Sequence, residues 1–143
     1  MDKLNREELS LNMRIPADSC YVVNAILTLE GICDHFFIGE NSRMRIAEAL
    51  KKALLTSVNF SYQKYRGLFD LKFLVFKDRL QITVEDFMLS SEDTTNHIPA
   101  SEIEVKRALE EVSIIVDELI VFSEVGRNSC YSMQFNFKNS EVE

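Results

Sequence analysis

Along Leu9-Ser10-Leu11-Asn12-Met13-Arg14-Ile15-Pro16 apolar and polar residues alternate until a proline ends the pattern. That two-residue period predicts an edge strand with one buried face. The period then lengthens. From Asp18 to about His35, Val22, Val23, Ile26, Leu27 and Leu29 recur at helical spacing, with Asp18 or Ser19 placed to cap the first turn. A second helix is predicted to open near Asn41-Ser42, because Met44, Ile46, Ala47, Leu50, Ala53, Leu54 and Val58 repeat at three- and four-residue intervals. One face of that helix must be core. Leu68 to Phe76 and Arg79 to Asp86 return to β-rich runs, and the polar pair Lys77-Asp78 between them suits a tight antiparallel hairpin turn, although the favoured glycine is missing.

From Ser90 to about Ser101 the chain is polar, with Ser90-Ser91-Glu92-Asp93-Thr94-Thr95-Asn96 and Pro99 and no apolar period, which reads as the longest loop. Ser101 and Glu104 then form a capping-box spacing ahead of Ile103, Leu109, Val112, Ile115 and Val116, so a third helix is predicted. Glu118 to Glu124 and Ser129 to Phe137 read as a second hairpin through Gly126-Arg127-Asn128, with Leu119, Val121, Tyr131, Met133 and Phe135 on its packed side. The order strand, helix, helix, hairpin, helix, hairpin segregates helices from strands. It predicts an α/β (α+β) two-layer sandwich, a mainly antiparallel mixed sheet with about three helices on one face.

The length of 143 residues and a hydrophobic content of 46% fit a single domain spanning 1–143, with 1–8 and 139–143 as tails. The net charge of −7 argues against an electrostatic grip on nucleic acid or an anionic membrane. The basic residues Arg43, Arg45, Lys51 and Lys52 are interleaved with Glu40 and Glu48, as on a solvated helix face. Cys20, Cys33 and Cys130 are odd in number and lack metal-ligand or disulfide spacing, which fits a reducing, cytoplasmic setting. The charged start Met1-Asp2-Lys3-Leu4 and the lack of a long apolar run predict a soluble, unprocessed chain.

Chemistry-bearing residues are few. His35 and His97 are far apart, no Gly-x-Ser-x-Gly or His-Glu-x-x-His run occurs, and no cysteine has an evident base partner. The strand Leu80-Gln81-Ile82-Thr83-Val84-Glu85-Asp86 is expected to end on an acid, a usual place to hold a ligand, and is followed by Phe87-Met88-Leu89-Ser90 without the glycines that would admit one. Glu48 with Lys52 one turn later shares a helix face.

With Glu48 on the second helix, Asp86 after a strand and Val116-Asp117-Glu118-Leu119-Ile120-Val121-Phe122-Ser123 leading to Gly126, the chain resembles the gyrase and histidine-kinase type of ATP-binding domain. It is most similar to the anti-sigma-factor serine kinases of bacterial partner-switching systems, over roughly Leu11 to Lys138. The resemblance implies a histidine-kinase ATPase-like fold, Glu48 as a catalytic base, Asp86 reading adenine, and Lys106, Arg107 and Gly126 near the phosphates. It also exposes departures. Lys52 stands at the family's magnesium-binding asparagine, Met88 and Ser90 at its adenine-site glycines, and Ala108 in its glycine-rich lid.

What the resemblance implies is therefore a regulatory anti-sigma-like protein with a degenerate ATP site, a pseudokinase with no cofactor or metal. Its partners would be a sigma factor, an anti-anti-sigma protein, or a second copy through the sheet edge near Leu9 to Ile15. Two alternatives stand beside it. One is an active serine protein kinase using ATP and magnesium; the other is a sensor of a non-nucleotide ligand, since Phe87 and Met88 would make the base pocket more apolar.

Overall fold

The computed structural model describes residues 8–61, 67–88, 106–122 and 130–137, with the backbone alone at 59–61 and 86–88. Strand β1 (Leu9–Pro16) leads through a 3-10 turn (Ser19–Tyr21) into helices α1 (Val22–His35) and α2 (Glu40–Ser61). The hairpin β2 (Gly67–Val75) and β3 (Arg79–Met88) follows, then helix α3 (Glu110–Ile115) and the strands β4 (Glu118–Phe122) and β5 (Cys130–Asn136). The strands form one five-stranded sheet in the order β1-β2-β3-β5-β4. Every pairing is antiparallel, so the mixed sheet expected from sequence is replaced, among the described strands, by a uniformly antiparallel one.

The register explains how the layers separate. Met13 lies opposite Leu71, Leu71 opposite Val84, Val84 opposite Tyr131, and Tyr131 opposite Val121, one apolar row across the whole sheet. Leu11, Phe73, Ile82, Met133 and Leu119 make the next row. The intervening rows are mostly polar, as in Asn12, Lys72, Thr83 and Ser132. Because side chains alternate between faces, one side of the sheet is apolar and must be covered. Leu29 and Ile32 of α1, Leu50 and Leu54 of α2 and Val112 of α3 join its rows in a single buried cluster. This is a two-layer α+β arrangement.

The two central strands carry most of that burden. Phe69, Leu71, Phe73, Val75, Leu80, Ile82 and Val84 are at most 1% exposed, and complete burial of each such side chain is worth about 1.5–3 kcal/mol. The hairpin between them turns through Lys77 and Asp78, with the Phe76 amide donating to the Arg79 carbonyl at 2.8 Å. In place of a glycine, the Arg79 guanidinium lies 3.9 Å over the Phe76 ring and pairs with Asp78 at 2.8 Å. The strand does not end at Asp86. Phe87 and Met88 extend it, pairing with Leu68 and Gly67, so Asp86 sits within the ladder opposite Phe69.

The helices correct two expectations about their buried faces. On α1 the core side is Val22, Ala25, Leu29, Ile32 and Cys33, whereas Val23 and Leu27 are 53% and 60% exposed. The small side chains Ala25 and Cys33 sit between the larger ones and let the helix approach closely. Asp18 caps the 3-10 turn, accepting from the Cys20 amide at 2.9 Å, and α1 itself starts at Tyr21 without a side-chain cap. On α2, which opens at Glu40 one residue before the expected cap, Ile46, Ala49, Leu50, Ala53 and Leu54 are buried but Met44 is 63% exposed. In the third helical region Leu109, Val112 and Val116 are buried as predicted; Ile103 and the Ser101 and Glu104 capping box lie outside the described residues.

Helix α1 ends in a paired-carbonyl motif. The Ile38 amide donates to the Cys33 carbonyl at 2.9 Å and the Phe37 amide to Asp34 at 3.4 Å, which reverses the chain into α2. The motif needs a left-handed residue, usually glycine, and Phe37 fills it with φ 54° while 74% exposed. An ion pair from Arg43 to Asp34 at 2.7 Å holds the two helix ends together. Phe37→Gly therefore relieves strain while losing little burial, and is expected to raise unfolding stability by roughly 0.5–1 kcal/mol, read from urea denaturation midpoints.

Candidate functional site

Among the described residues, the cluster of expected site residues that the fold assembles lies on the seam between α2 and α3. Four-residue spacing on α2 stacks Glu48 and Lys52 on the same face, with the Lys52 ammonium 3.5 Å from the Glu48 carboxylate. The same ammonium stands 3.9 Å from Glu111 in the first turn of α3. Lys52 thus bridges two helices as a cation between two carboxylates. The cluster is open to water, with side-chain exposures of 42% for Lys52, 58% for Glu48 and 84% for Glu111. Solvent screening makes such pairs worth only about 0–1 kcal/mol each.

This donor set suits an ammonium better than a metal. A lysine nitrogen that is protonated has no lone pair for magnesium, and its charge neutralises the carboxylates that remain. Among the described residues no group of three or more His, Cys, Asp or Glu side chains is placed to hold a metal ion. The arrangement can orient a carboxylate and lend it to a hydrogen-bond donor.

The other residues singled out in the sequence are spread over separate elements. Asp86 lies in β3 with its backbone opposite Phe69, and Met88 ends that strand opposite Gly67. Lys106 and Arg107 are exposed on the helical turn ahead of α3, while Ala108 beside them is half-buried. The side chains of Asp86 and Met88, and the whole of Ser90 and Gly126, lie outside the described residues.

Sequence reasoning missed the polar links that fasten the helices to the sheet. The Asp117 carboxylate accepts the Asn136 amide at 2.6 Å and the Arg45 guanidinium at 3.1 Å, and Arg45 also donates to the Asn136 carbonyl at 3.3 Å. This clamps α2 to the β4 and β5 end of the sheet. Deeper in, the Ser57 hydroxyl lies 2.8 Å from the Tyr131 phenol and donates to the Ala53 carbonyl at 2.8 Å. Asp117 was visible as an acid ahead of a strand, but its partner Arg45 is 72 residues away, and no local pattern links them.

Two further features bear on chemistry. A groove of about 250 Å³ opens where Phe36 and Ile38 meet Val75, Phe76 and Phe137, and none of the expected site residues lines it. Cys20 and Cys33 are poor nucleophiles. Burial pushes the Cys33 thiol up to about 11, partly offset by Arg43 and reinforced by Asp34 and Glu30, and Asp18 raises the exposed Cys20 thiol through a hydrogen bond and its charge. No helix among the described residues is long and apolar enough to cross a membrane.

Compared with known protein families and with characterised proteins, the chain gives no significant match. The fold and the α2–α3 cluster therefore rest on their own geometry.

Two outcomes follow from this geometry. Lys52→Ala should lower stability by no more than about 1 kcal/mol, because both of its pairs are exposed; thermal unfolding at low and moderate salt measures it. For Cys33, the folded thiol titrates above the unfolded one, so the unfolded chain releases its proton first as pH rises. The stability tied to the protonated thiol is complete below the unfolded value and is lost through the range up to about 11. Denaturation of wild type and Cys33→Ala across alkaline pH should show a steeper loss in the wild type.

Proposed function

We propose that this chain is a regulatory binding protein of the anti-sigma type, acting through protein contacts at a site that does not hold magnesium-ATP. The observation that carries the reading is Lys52, whose ammonium stands 3.5 Å from Glu48 and 3.9 Å from Glu111. The resemblance to partner-switching kinases puts magnesium at that position. A cation fixed in the chain supplies charge there without the open coordination sites that phosphoryl transfer requires. Glu48 is then an ion-pair partner on a helix surface, and the base role that the resemblance implies for it has no metal-bound phosphate to serve.

An acidic chain, at −7 overall, suits a partner with a basic docking surface. A sigma factor, held away from its polymerase, is the partner class that the resemblance favours, with an anti-anti-sigma protein as the competitor that releases it. The fold offers a rigid sheet backed by helices, on which exchange between two partners would require no chemistry.

Calorimetric titration of the folded chain with ATP and ADP in the presence of magnesium tests the reading. No heat of binding is expected at high protein concentration. One-to-one, magnesium-dependent binding would overturn the proposal and restore the kinase alternative, in which Lys52→Asn with Met88→Gly should tighten nucleotide binding further.

A further inference from the structure

Helix α1 turns a line of side chains to solvent on the side away from its buried Ala25, Leu29 and Ile32. At helical spacing Val23, Leu27, Glu30, Gly31 and Asp34 fall within an arc of about 100° and run roughly 16 Å along the axis. Val23 and Leu27 are more than half exposed, and Glu30, Gly31 and Asp34 are exposed beside them. The stripe is apolar at its start and acidic at its end.

Gly31 is its most informative member. Glycine inside a helix weakens it relative to alanine, so a close neighbour is the usual reason to find one there. At position 31 an added Cβ would meet nothing within 4 Å. The packing of α1 within the chain does not call for glycine, whereas a second backbone laid against the stripe would. The charge is one-sided as well. Val22–His35 contains no lysine or arginine, and Asp34 sits in the last turn, where unpaired carbonyls already concentrate negative charge. Arg43 pairs with Asp34 at 2.7 Å, yet the Asp34 side chain remains 70% exposed. Glu30 lies one turn earlier on the same line, with no ion pair to another described residue.

We propose that the outer face of α1 seats a basic amphipathic helix of a partner protein. Its apolar side chains rest on Val23 and Leu27, its backbone approaches at Gly31, and its lysine or arginine side chains reach Glu30 and Asp34. The pattern selects this occupant over a second copy of the chain. Two α1 helices packed parallel would set Glu30 against Glu30 and Asp34 against Asp34. Packed antiparallel, they would bury Val23 against Asp34 and Leu27 against Glu30, each apolar group on a carboxylate. The same acids repel an anionic membrane surface. An apolar segment followed by cations on one helical face matches every position. This surface lies on a different helix from the Lys52 cluster, so it stands or falls independently of whether magnesium-ATP binds.

The test uses the intact chain and a labelled helical peptide of about five turns, built from alanine with leucines on one face of its first half and lysines on the same face of its second. Fluorescence anisotropy at moderate salt should show saturable one-to-one binding. Gly31→Gln projects a side chain into open space, so it should leave circular dichroism intact, raise the unfolding temperature and weaken the peptide by about tenfold or more. Leu27→Gln should weaken it comparably. Glu30→Lys should lose the lysine peptide and gain its glutamate counterpart. Absence of saturable binding, or binding indifferent to both Gly31→Gln and Leu27→Gln, would overturn the proposal. Equal affinity for a scrambled peptide of the same charge would do so too, since only net charge would then be attracting it. Sedimentation velocity showing a dimer that Gly31→Gln dissolves would give the face to a second copy, and vesicles of anionic lipid that bind through Leu27 would give it to a membrane; either result overturns the assignment.

Discussion

Covering one face of an antiparallel sheet is the constraint from which the remaining architecture follows. The apolar rows through Leu71, Phe73 and Val75 are continuous with those of β3 and β5 because each register pairs apolar with apolar. A slip of one residue in β2 or β3 would send Phe69, Leu71, Phe73 and their partners to the solvent face together, and no neighbouring strand could accommodate the change. The register is thus overdetermined at the centre. Helices must lie on the apolar side, and they must be placed by the connections that leave β1 and β3.

Apolar burial holds the layers together without fixing their angle or offset; polar contacts at defined points do that. Ser57 reaches the Tyr131 phenol from near the end of α2, and Arg45 reaches Asp117 and the Asn136 carbonyl near its start. Two such points along one helix define its direction over β5. Asp34 and Arg43 then fix where α1 stops relative to α2. The bond between Ser57 and Tyr131 is buried, so leaving either partner unpaired costs more than the net value of the bond itself. A hydroxyl pair inside an otherwise apolar interface therefore contributes chiefly to register and only secondarily to stability.

Much of this was legible in the sequence, for a physical reason. Strand and helix periods are local, and β1, the β2–β3 hairpin and the packed residues Leu119, Val121, Tyr131, Met133 and Phe135 all follow from spacing alone. The errors fell where spacing is ambiguous. On α1 every turn offers an apolar residue, so periodicity placed Val22 and Leu29 inside but could not decide that Ala25 and Cys33 would join them while Val23 and Leu27 stay outside; packing against α2 and the sheet decides it. Asp86 was read as the acid that ends the strand, yet pairing with β2 carries the strand on through Met88. Polar clamps were invisible because their members, such as Arg45 and Asp117, are distant in sequence. Of the candidate site, the pairing of Glu48 with Lys52 was foreseeable from helix geometry, whereas the approach of Glu111 was not.

That third residue changes what the cluster means. A lysine paired only within its own helix would be a local surface ornament, adding a few tenths of a kcal/mol to α2. Shared with Glu111, the same ammonium lies across the joint between α2 and α3. The group that joins the two helices belongs to the chain itself. The joint is open to whatever competes for two exposed carboxylates and an ammonium, and a basic or acidic side chain of a docking protein competes well on such a surface. The ammonium and its two carboxylates leave a charged, exposed patch on a joint between helices, which is the kind of surface on which a protein partner can act.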